Sequence, residues 1–597
     1  MDWNQELLNS ALWLLKAYAI TLVGFAALIV ALARFTVWGR QFWAISGGYF
    51  SPKRSWKPLA GLALMLLFVL FAVRMNVLFS YWYNGFYSAL QGLDQKGFWF
   101  YMKLFAILAT VHVARALLNA YIRGSFTIHW RTWLNARLVD QWMDQRGYYL
   151  GRFVQPGMDN PEQRIQQDVT SIATDTLTLG LGLVQAAVSI FAFTGILWGL
   201  SAPMHVWDYE VPRAMVFLVY IYVIIASVFA FKIGRPLIQL NFLNEKLNAS
   251  YRYVLMRVRE YGENVALYRG EAVEKRGLFA SFAQVIANAW AMLWRGLKFD
   301  GYNLAISQVA VIFPFLIQAP RLFTGQIKLG DVMQTSQAFD QVQDALSFFR
   351  TSYDAFATYR AALVRLDGFQ RNMAGAAELR LPALRENPDA LEVDGLTVQR
   401  PDGKVLAQQV QIALRAGDSL LIRGPSGAGK TTLLRSLAGL WPFAQGSAAR
   451  PGGDATLFLS QKPYLPIGSL RDALAYPSDQ VDAQRAREIL GKVQLGHLAD
   501  RLESDEDWAL QLSPGEQQRL AFGRVLANRP ALVFLDEATS AVDTGLEHSL
   551  YTLLRQELPQ TMVVSVGHRE TLLPFHASAL TLKGDGTWSA EALSAGA

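Results

Sequence analysis

The glycine-rich run Gly424-Pro425-Ser426-Gly427-Ala428-Gly429-Lys430-Thr431-Thr432 follows a strand-like apolar stretch, Ser419 to Arg423. It matches G-x4-G-K-[ST], a pattern whose glycines let backbone N–H groups approach phosphates while the following helix adds the positive end of its dipole. In that setting Lys430 reaches the β- and γ-phosphates and the Thr431 hydroxyl is a ligand for Mg²⁺. A second apolar stretch, Ala531 to Leu535, ends in Asp536-Glu537. Consecutive strand residues point to opposite sides. Asp536 is therefore placed to hold the Mg²⁺ shell while Glu537 addresses an attacking water as general base. The bland alternatives are a chance glycine-rich turn and two solvated carboxylates closing a strand. Found together, the two patterns favour hydrolysis of a nucleoside triphosphate.

From Leu391 onward, short β-rich runs alternate with helical ones, which reads as an α/β domain able to present these residues. At Leu512-Ser513-Pro514-Gly515-Glu516-Gln517-Gln518-Arg519 the chain resembles the signature of the ABC ATPases, departing from the commoner L-S-G-G-Q. The order and spacing of the phosphate loop, Gln461, this signature, Asp536-Glu537, Ser540-Ala541-Val542-Asp543 and His568 are similar to that family throughout 391–575. Alone, Gln461 or His568 would read as an ordinary surface or core residue. The resemblance implies ATP and Mg²⁺ as cofactors. It also implies that Gln461 senses the metal and the water and answers to a membrane domain, and that His568 touches the γ-phosphate. Ser513 and Gly515, with Glu516 in the same nucleotide-binding segment, are implied to contact ATP held by a second subunit, with Asp543 across the interface. The aromatic residue that usually stacks on adenine is missing, and Arg400-Pro401 stand near its place, so guanidinium stacking by Arg400 is the expected substitute. One ATPase domain per chain then calls for a homodimer with two sites at a two-fold interface, a heterodimer being the alternative.

The remainder of the 597 residues must form at least one more domain. The chain is 52% hydrophobic and only 17% charged, apolar beside the roughly 25% charged residues of soluble domains. Cysteine is absent, which excludes disulfides, thiolate metal sites and cysteine nucleophiles. The formal charge of +7 does not predict a nucleic-acid partner. Lys and Arg sit mainly in loops beside apolar runs, where anionic lipid and the positive-inside rule account for them.

Six stretches, 11–33, 57–80, 99–122, 178–200, 212–233 and 300–323, reach the ~20 apolar residues a membrane helix needs. The first is led by Asp2 and Glu6 with no base, so it reads as a retained helix, not a signal peptide. Arg34, Arg40, Lys53, Arg54 and Lys57 with no intervening acid place the first loop in the cytoplasm. The basic connectors 123–177 and 234–299 follow it, and 201–211, with Asp208 and Glu210, faces out. Six crossings would then leave the chain outside after residue 323, although an ATPase must lie in the cytoplasm. A seventh crossing is expected from Asp331 to about Ala355. There Gln337, Asp340, Gln341 and Asp344 share one helical stripe, while Phe339, Val342, Leu346 and Phe349 fall elsewhere. Such a helix spans only beside a water-filled cavity, which makes the stripe a candidate solute contact. A surface helix, with the first apolar run not spanning, is the alternative, as is a purely structural role for the two carboxylates. Lys16, Arg74, Lys103, His112 and Arg115 read as snorkelling side chains near helix ends.

The expected organisation is an all-α membrane region followed by an α/β ATPase: 1–56, a first helix and connector; 57–371, the transmembrane domain, with helices extended through 123–150 and 234–260; 372–390, a linker with Pro382 and Pro388; and 391–597, the ATPase. The segments Asn84–Gln91, Asp159–Asp168 and Tyr268–Lys275 resemble the SbmA/BacA-like bacterial transporters and the related peroxisomal fatty-acyl and cobalamin half-transporters. The last two fall in cytoplasmic connectors, where short coupling helices would rest on the ATPase, solvated helix ends being the alternative. The resemblance implies exporter-like helices in a bacterial inner membrane, with uptake of bulky hydrophilic solutes such as peptides or corrinoids. Fold alone does not decide direction, so ATP-driven export of drugs, lipids or peptides is the rival. A regulatory membrane ATPase that moves nothing is disfavoured by the polar seventh helix.

Overall fold

The computed structural model describes residues 3, 5–154, 161–201, 204–206, 209–211 and 213–593. Asp2, Asp159, Asn160 and Asp208, used above, lie outside the described residues. The chain divides into two units, the first of residues 1–144 and 158–371, the second of residues 145–157 and 372–597.

The first unit is helical. Its elements are α1 (Glu6–Phe35), α2 (Val37–Ser46), α3 (Lys57–Gln91) and α4 (Gln95–Met143). After α5 (Gly147–Val154), which belongs to the second unit, come α6 (Val169–Leu200), α7 (Ala214–Glu260), α8 (Gly262–Leu267), α9 (Glu271–Phe323), α10 (Leu329–Thr351) and α11 (Tyr353–Ala377). Among the described residues six helices are long and apolar enough to cross a membrane, and they match the six stretches read from the sequence, the fifth beginning at Ala214. The helices α4, α7 and α9 have 49, 47 and 53 residues. At about 1.5 Å per residue each exceeds 70 Å and so extends well past a hydrocarbon layer of about 30 Å. Helix α4 stops at Met143 instead of reaching 150, because Gln145 and Arg146 both take the left-handed conformation. Thr36 breaks α1 from α2, its hydroxyl accepting from the Gly39 N–H at 3.0 Å, an N-cap in the usual sense.

The polar helix α10 packs inside this unit against α3, α6, α7 and α9. Its Ala338, Phe339 and Val342 are fully buried in a core with Val77, Phe193, Leu197 and Val219. Gln337, Asp340 and Gln341 are half-buried and Asp344 is exposed, so the apolar and polar faces separate as helical periodicity requires. Arg74 corrects an expectation: in the middle of α3, it pairs with Glu6 and donates from Nε to Ser10 Oγ at 3.0 Å instead of snorkelling. An isolated charge at membrane depth costs several kcal/mol, of order ~3 on insertion scales, and a carboxylate at the start of α1 offsets it.

The second unit carries two main sheets, besides a two-residue pairing of Gly468–Ser469 with Asp505–Glu506. Its strands are β1 (Ala383–Glu386), β2 (Ala390–Gln399), β3 (Val405–Arg415), β4 (Ser419–Arg423), β5 (Ala444–Arg450), β6 (Thr456–Leu459), β7 (Leu532–Asp536), β8 (Met562–Val566), β9 (Ser578–Leu582) and β10 (Trp588–Ala592). The larger sheet runs β10-β9-β4-β8-β7-β6, parallel except for β10, and the smaller runs β1-β5-β2-β3. Alternate residues of β7 feed two cores: Val533 and Leu535 one, Leu532 and Phe534 the other. A strand covered on both faces reads as a continuous apolar run, which is why Ala531–Leu535 stands out in the sequence. Helices α12 (Lys430–Leu437), α13 (Pro514–Asn528) and α14 (Thr544–Glu557) complete the parts that matter below. The expected linker 372–390 is shorter than predicted: α11 continues to Ala377, and β1 pairs with β5. Pro382 lies just ahead of a strand and does not interrupt one.

Candidate active site

Four adjacent parallel strands, β4, β8, β7 and β6, deliver the sequence-predicted residues at their carboxyl ends, where open α/β sheets bind ligands. The phosphate loop follows β4, His568 follows β8, Asp536-Glu537 closes β7, and Gln461 follows β6. The loop needs its glycines. Gly424 has φ 142°, and a Cβ there would meet the Leu582 carbonyl at 2.3 Å. Ser426 and Gly427 are exposed at the tip, and Thr432 is half-buried in the first turn of α12.

Lys430 folds back over the loop, donating to the carbonyls of Gly424 (2.8 Å) and Pro425 (3.1 Å). Burial lowers its pKa, against the opposing pull of Glu537 and Asp536. The Thr431 hydroxyl donates to Asp536 Oδ1 at 3.1 Å, and burial raises the Asp536 pKa despite that bond. An alcohol and a carboxylate side by side suit Mg²⁺, a hard cation that keeps its other positions for phosphate and water. Glu537 takes a left-handed φ of 49°, and its Oε1 lies 3.5 Å from His568 Nε2. Asp536 and Glu537 thus face different partners, as strand alternation predicts. The Gln461 side chain is exposed, and its carbonyl accepts from Gln518 Nε2 at 2.9 Å.

Apart from that Gln518 bond, no hydrogen bond joins the signature to these residues among the described residues. Ser513 caps α13 in a reciprocal capping box: its N–H and hydroxyl donate to Glu516 Oε2 at 2.9 and 2.7 Å. The Ser513 hydroxyl is the largest cause of the lowered Glu516 pKa, and His497 lies 3.3 Å from the same carboxylate. Among the described residues no hydrogen bond joins Ser513 or Glu516 to the phosphate loop. Gly515 approaches the next loop so closely that a Cβ would come within 3.1 Å of the Ala541 carbonyl. Asp543 caps α14, accepting from the Leu546 N–H at 2.8 Å. Arg400 is paired with Asp402 at 3.1 Å on the surface. The nearby aromatic Trp441 is buried and donates to the Gln399 carbonyl.

Sequence reasoning missed residues whose partners are distant along the chain. Gln518 and Arg569 hold the 540–543 loop. Arg146 donates to the Ala438 carbonyl at 2.8 Å and Arg450 Nε to the Leu437 carbonyl at 2.9 Å, so two guanidiniums cap the end of the phosphate-loop helix, where the dipole favours cations. In the same segment Phe153 packs edge-on to Trp441 and Phe443. Residues 145–154 thus pack within the ATPase unit. In the helical unit Asp168 is buried between Arg365 (2.9 and 2.5 Å) and Arg164 (3.4 Å), and is not a solvated helix end. Asn84 donates to Asp331 and Gln334, tying α3 to α10. Of the candidate solute stripe, Gln341 accepts from Asn76 at 3.3 Å. Among the described residues no ion pair involves Asp340 or Asp344.

Two family models match the chain: "ABC transporter transmembrane region 2" over residues 45–323 and "ABC transporter" over 407–540. A Haemophilus influenzae protein named an uncharacterized ABC transporter ATP-binding protein is 49% identical over 98% of this chain and 100% of its own. The chloroplastic ABC transporter D family member 2 of Arabidopsis thaliana is 30% identical over 92% of this chain and 86% of its own. Among solved structures, a bacterial Atm1-family ABC exporter with ATP bound superposes with a TM-score of 0.71 at 18% identity, covering 90% of this chain and 95% of that one.

Proposed function

Because this chain belongs to the ABC transporters, as a multi-pass half-transporter that couples ATP hydrolysis to transport, we propose that two copies form a homodimer in a bacterial inner membrane and carry bulky hydrophilic solutes, such as peptides or cobalamin-like compounds, into the cell. The observation that carries the hydrophilic solute is α10: a helix with a buried apolar face and a polar face of Gln337, Asp340, Gln341 and Asp344 left unpaired by any cation among the described residues. Two such faces across a dimer axis line a hydrated chamber, since lipid would not tolerate them.

In each ATP site Lys430 holds the phosphates, Thr431 and Asp536 hold Mg²⁺ with Gln461 sensing it, and Glu537 draws a proton from the attacking water, with His568 at the γ-phosphate. Ser513, Gly515 and Glu516 of the partner close over the nucleotide, which is why they lie apart from the phosphate loop of their own chain. Arg400 stacks on adenine after releasing Asp402. Export is the second reading: the structural neighbour is a bacterial Atm1-family ABC exporter, and a shared fold does not set direction. Proteoliposomes containing the purified chain separate the two. Labelled peptide or cobalamin entering the compartment that holds ATP supports uptake, and ATP-driven movement away from that compartment overturns it.

A further inference from the structure

Two side chains outside the nucleotide site grip the Ser540–Asp543 loop from opposite sides. Gln518 in α13 is 2% exposed. Its Nε2 donates to the Gln461 carbonyl (2.9 Å) and to Ser540 Oγ (3.1 Å), and its Oε1 accepts from the Ala541 N–H (2.8 Å). Arg569, the residue after His568, donates to the Val542 carbonyl at 3.0 Å and to the Ser540 carbonyl at 3.2 Å. The same guanidinium lies 3.3 Å from Glu547 Oε2, a carboxylate that is 1% exposed and also accepts from the Thr539 (2.6 Å) and Thr571 (2.5 Å) hydroxyls. The gripped loop is fastened to the general base as well, since the Ser540 N–H donates to the Glu537 carbonyl at 3.1 Å.

We propose that Gln518 and Arg569 are positioning residues that couple the two ATP sites: they tie the loops carrying Gln461 and His568 to the 540–543 loop, which in the dimer faces the nucleotide of the partner. The proposal rests on the homodimer reading above. A carboxamide bonded on one edge to Gln461 and on the other to Ala541 does not let one loop move alone. A hydrogen bond stretched past about 3.5 Å is lost, so an ångström of motion at Gln461 either breaks a buried bond or moves the 540–543 loop with it. Arg569 acts alike from the His568 side, its planar fork spanning two carbonyls of the loop. Glu547, at 3.3 Å, holds that guanidinium in place. The clamp touches no phosphate. Its effect is therefore on turnover and on communication between sites, not on ATP binding.

Gln518→Glu tests it with little change of shape, keeping an acceptor for Ala541 and losing the donors to Gln461 and Ser540. Arg569→Lys keeps the charge beside Glu547 and loses the two-carbonyl span. In the purified full-length protein each variant is expected to bind a fluorescent ATP analogue within about 2-fold of wild type. Each should also turn over ATP about 10-fold more slowly, the scale of a typical coupling energy, and lose the cooperativity in ATP expected of the wild type. Wild-type turnover and cooperativity per folded molecule in both variants, with only a lowered Tm, would overturn the proposal, as would a wild-type protein without cooperativity. Co-purification of tagged and untagged copies reads dimerisation separately. A dimer with unaltered kinetics overturns the clamp alone, whereas a wild-type chain isolated only as a monomer overturns the homodimer and the clamp with it.

Discussion

Glu537 stands at a strained backbone position, φ 49°, a conformation that costs a non-glycine residue on the order of 1–3 kcal/mol and collects at functional sites. The strain turns the residue after β7 toward His568 while Asp536 stays with Thr431. Glu537→Gln is expected to bind Mg²⁺-ATP with near wild-type affinity and to lose about 100-fold or more in turnover, the usual worth of a general base. Lys430→Ala is expected instead to weaken binding itself. Equilibrium nucleotide binding beside single-turnover hydrolysis tells the two apart, and normal turnover by Glu537→Gln would sink the assignment. A different pH dependence comes from His576, buried with Nδ1 on the Leu572 carbonyl (2.7 Å) and Nε2 on Ser565 Oγ (2.8 Å). Burial lowers its pKa to about 4 from 6.5. The folded protein keeps this ring neutral while the unfolded chain protonates it, so its contribution is present above the ordinary pKa and is lost as pH falls from there towards the folded value. The full span is worth roughly 3 kcal/mol. Thermal unfolding of the ATPase unit between about pH 7.5 and about pH 5 should show that loss, and His576→Gln should flatten it. Unchanged slopes in the two proteins would contradict the assignment.

At the scale of elements, the placement of the candidate catalytic residues is legible in the sequence because each closes a strand or opens a helix within one short motif. Loop charges and an ATPase on the cytoplasmic side lead to the expectation of a further helix at 331–355, and α10 (Leu329–Thr351) packs there inside the helical unit, while six other helices are the ones long and apolar enough to cross a membrane among the described residues. What the sequence hides is set by contacts far apart along the chain. Gln518 bonds a carbonyl 57 residues away and Arg569 one 29 residues away, and no local pattern records either. Arg74 is misread for the same reason, its partner Glu6 lying 68 residues earlier. The break after α4 depends on two non-glycine residues in the left-handed conformation, which propensity does not predict. The polar face of α10 has a direct test, since the chain has no native cysteine. Cysteines at Gln337, Asp340, Gln341 and Asp344 should react with a membrane-impermeant thiol reagent and change in reactivity with ATP. Cysteines at Phe339 and Val342, both fully buried, should be protected. Equal labelling of the two sets would refute the cavity and restore the surface-helix alternative.

For the whole molecule, one chain supplies a phosphate loop and a signature, yet the described hydrogen bonds of Ser513 and Glu516 stay within their own capping box and His497. In the proposed homodimer a complete site would take its phosphate loop from one copy and its signature from the other, an isologous arrangement in which each surface serves twice. Combining two defective copies tests this most directly. Lys430→Ala disables both sites of its own dimer by removing the phosphate cation, and Ser513→Arg disables both by blocking the signature. A mixed dimer, isolated through two different affinity tags, has one site carrying both defects and one carrying neither. The account predicts that this mixed dimer recovers a substantial fraction of wild-type ATP hydrolysis in proteoliposomes while each parent dimer stays inactive. A mixed dimer as inactive as its parents would contradict it.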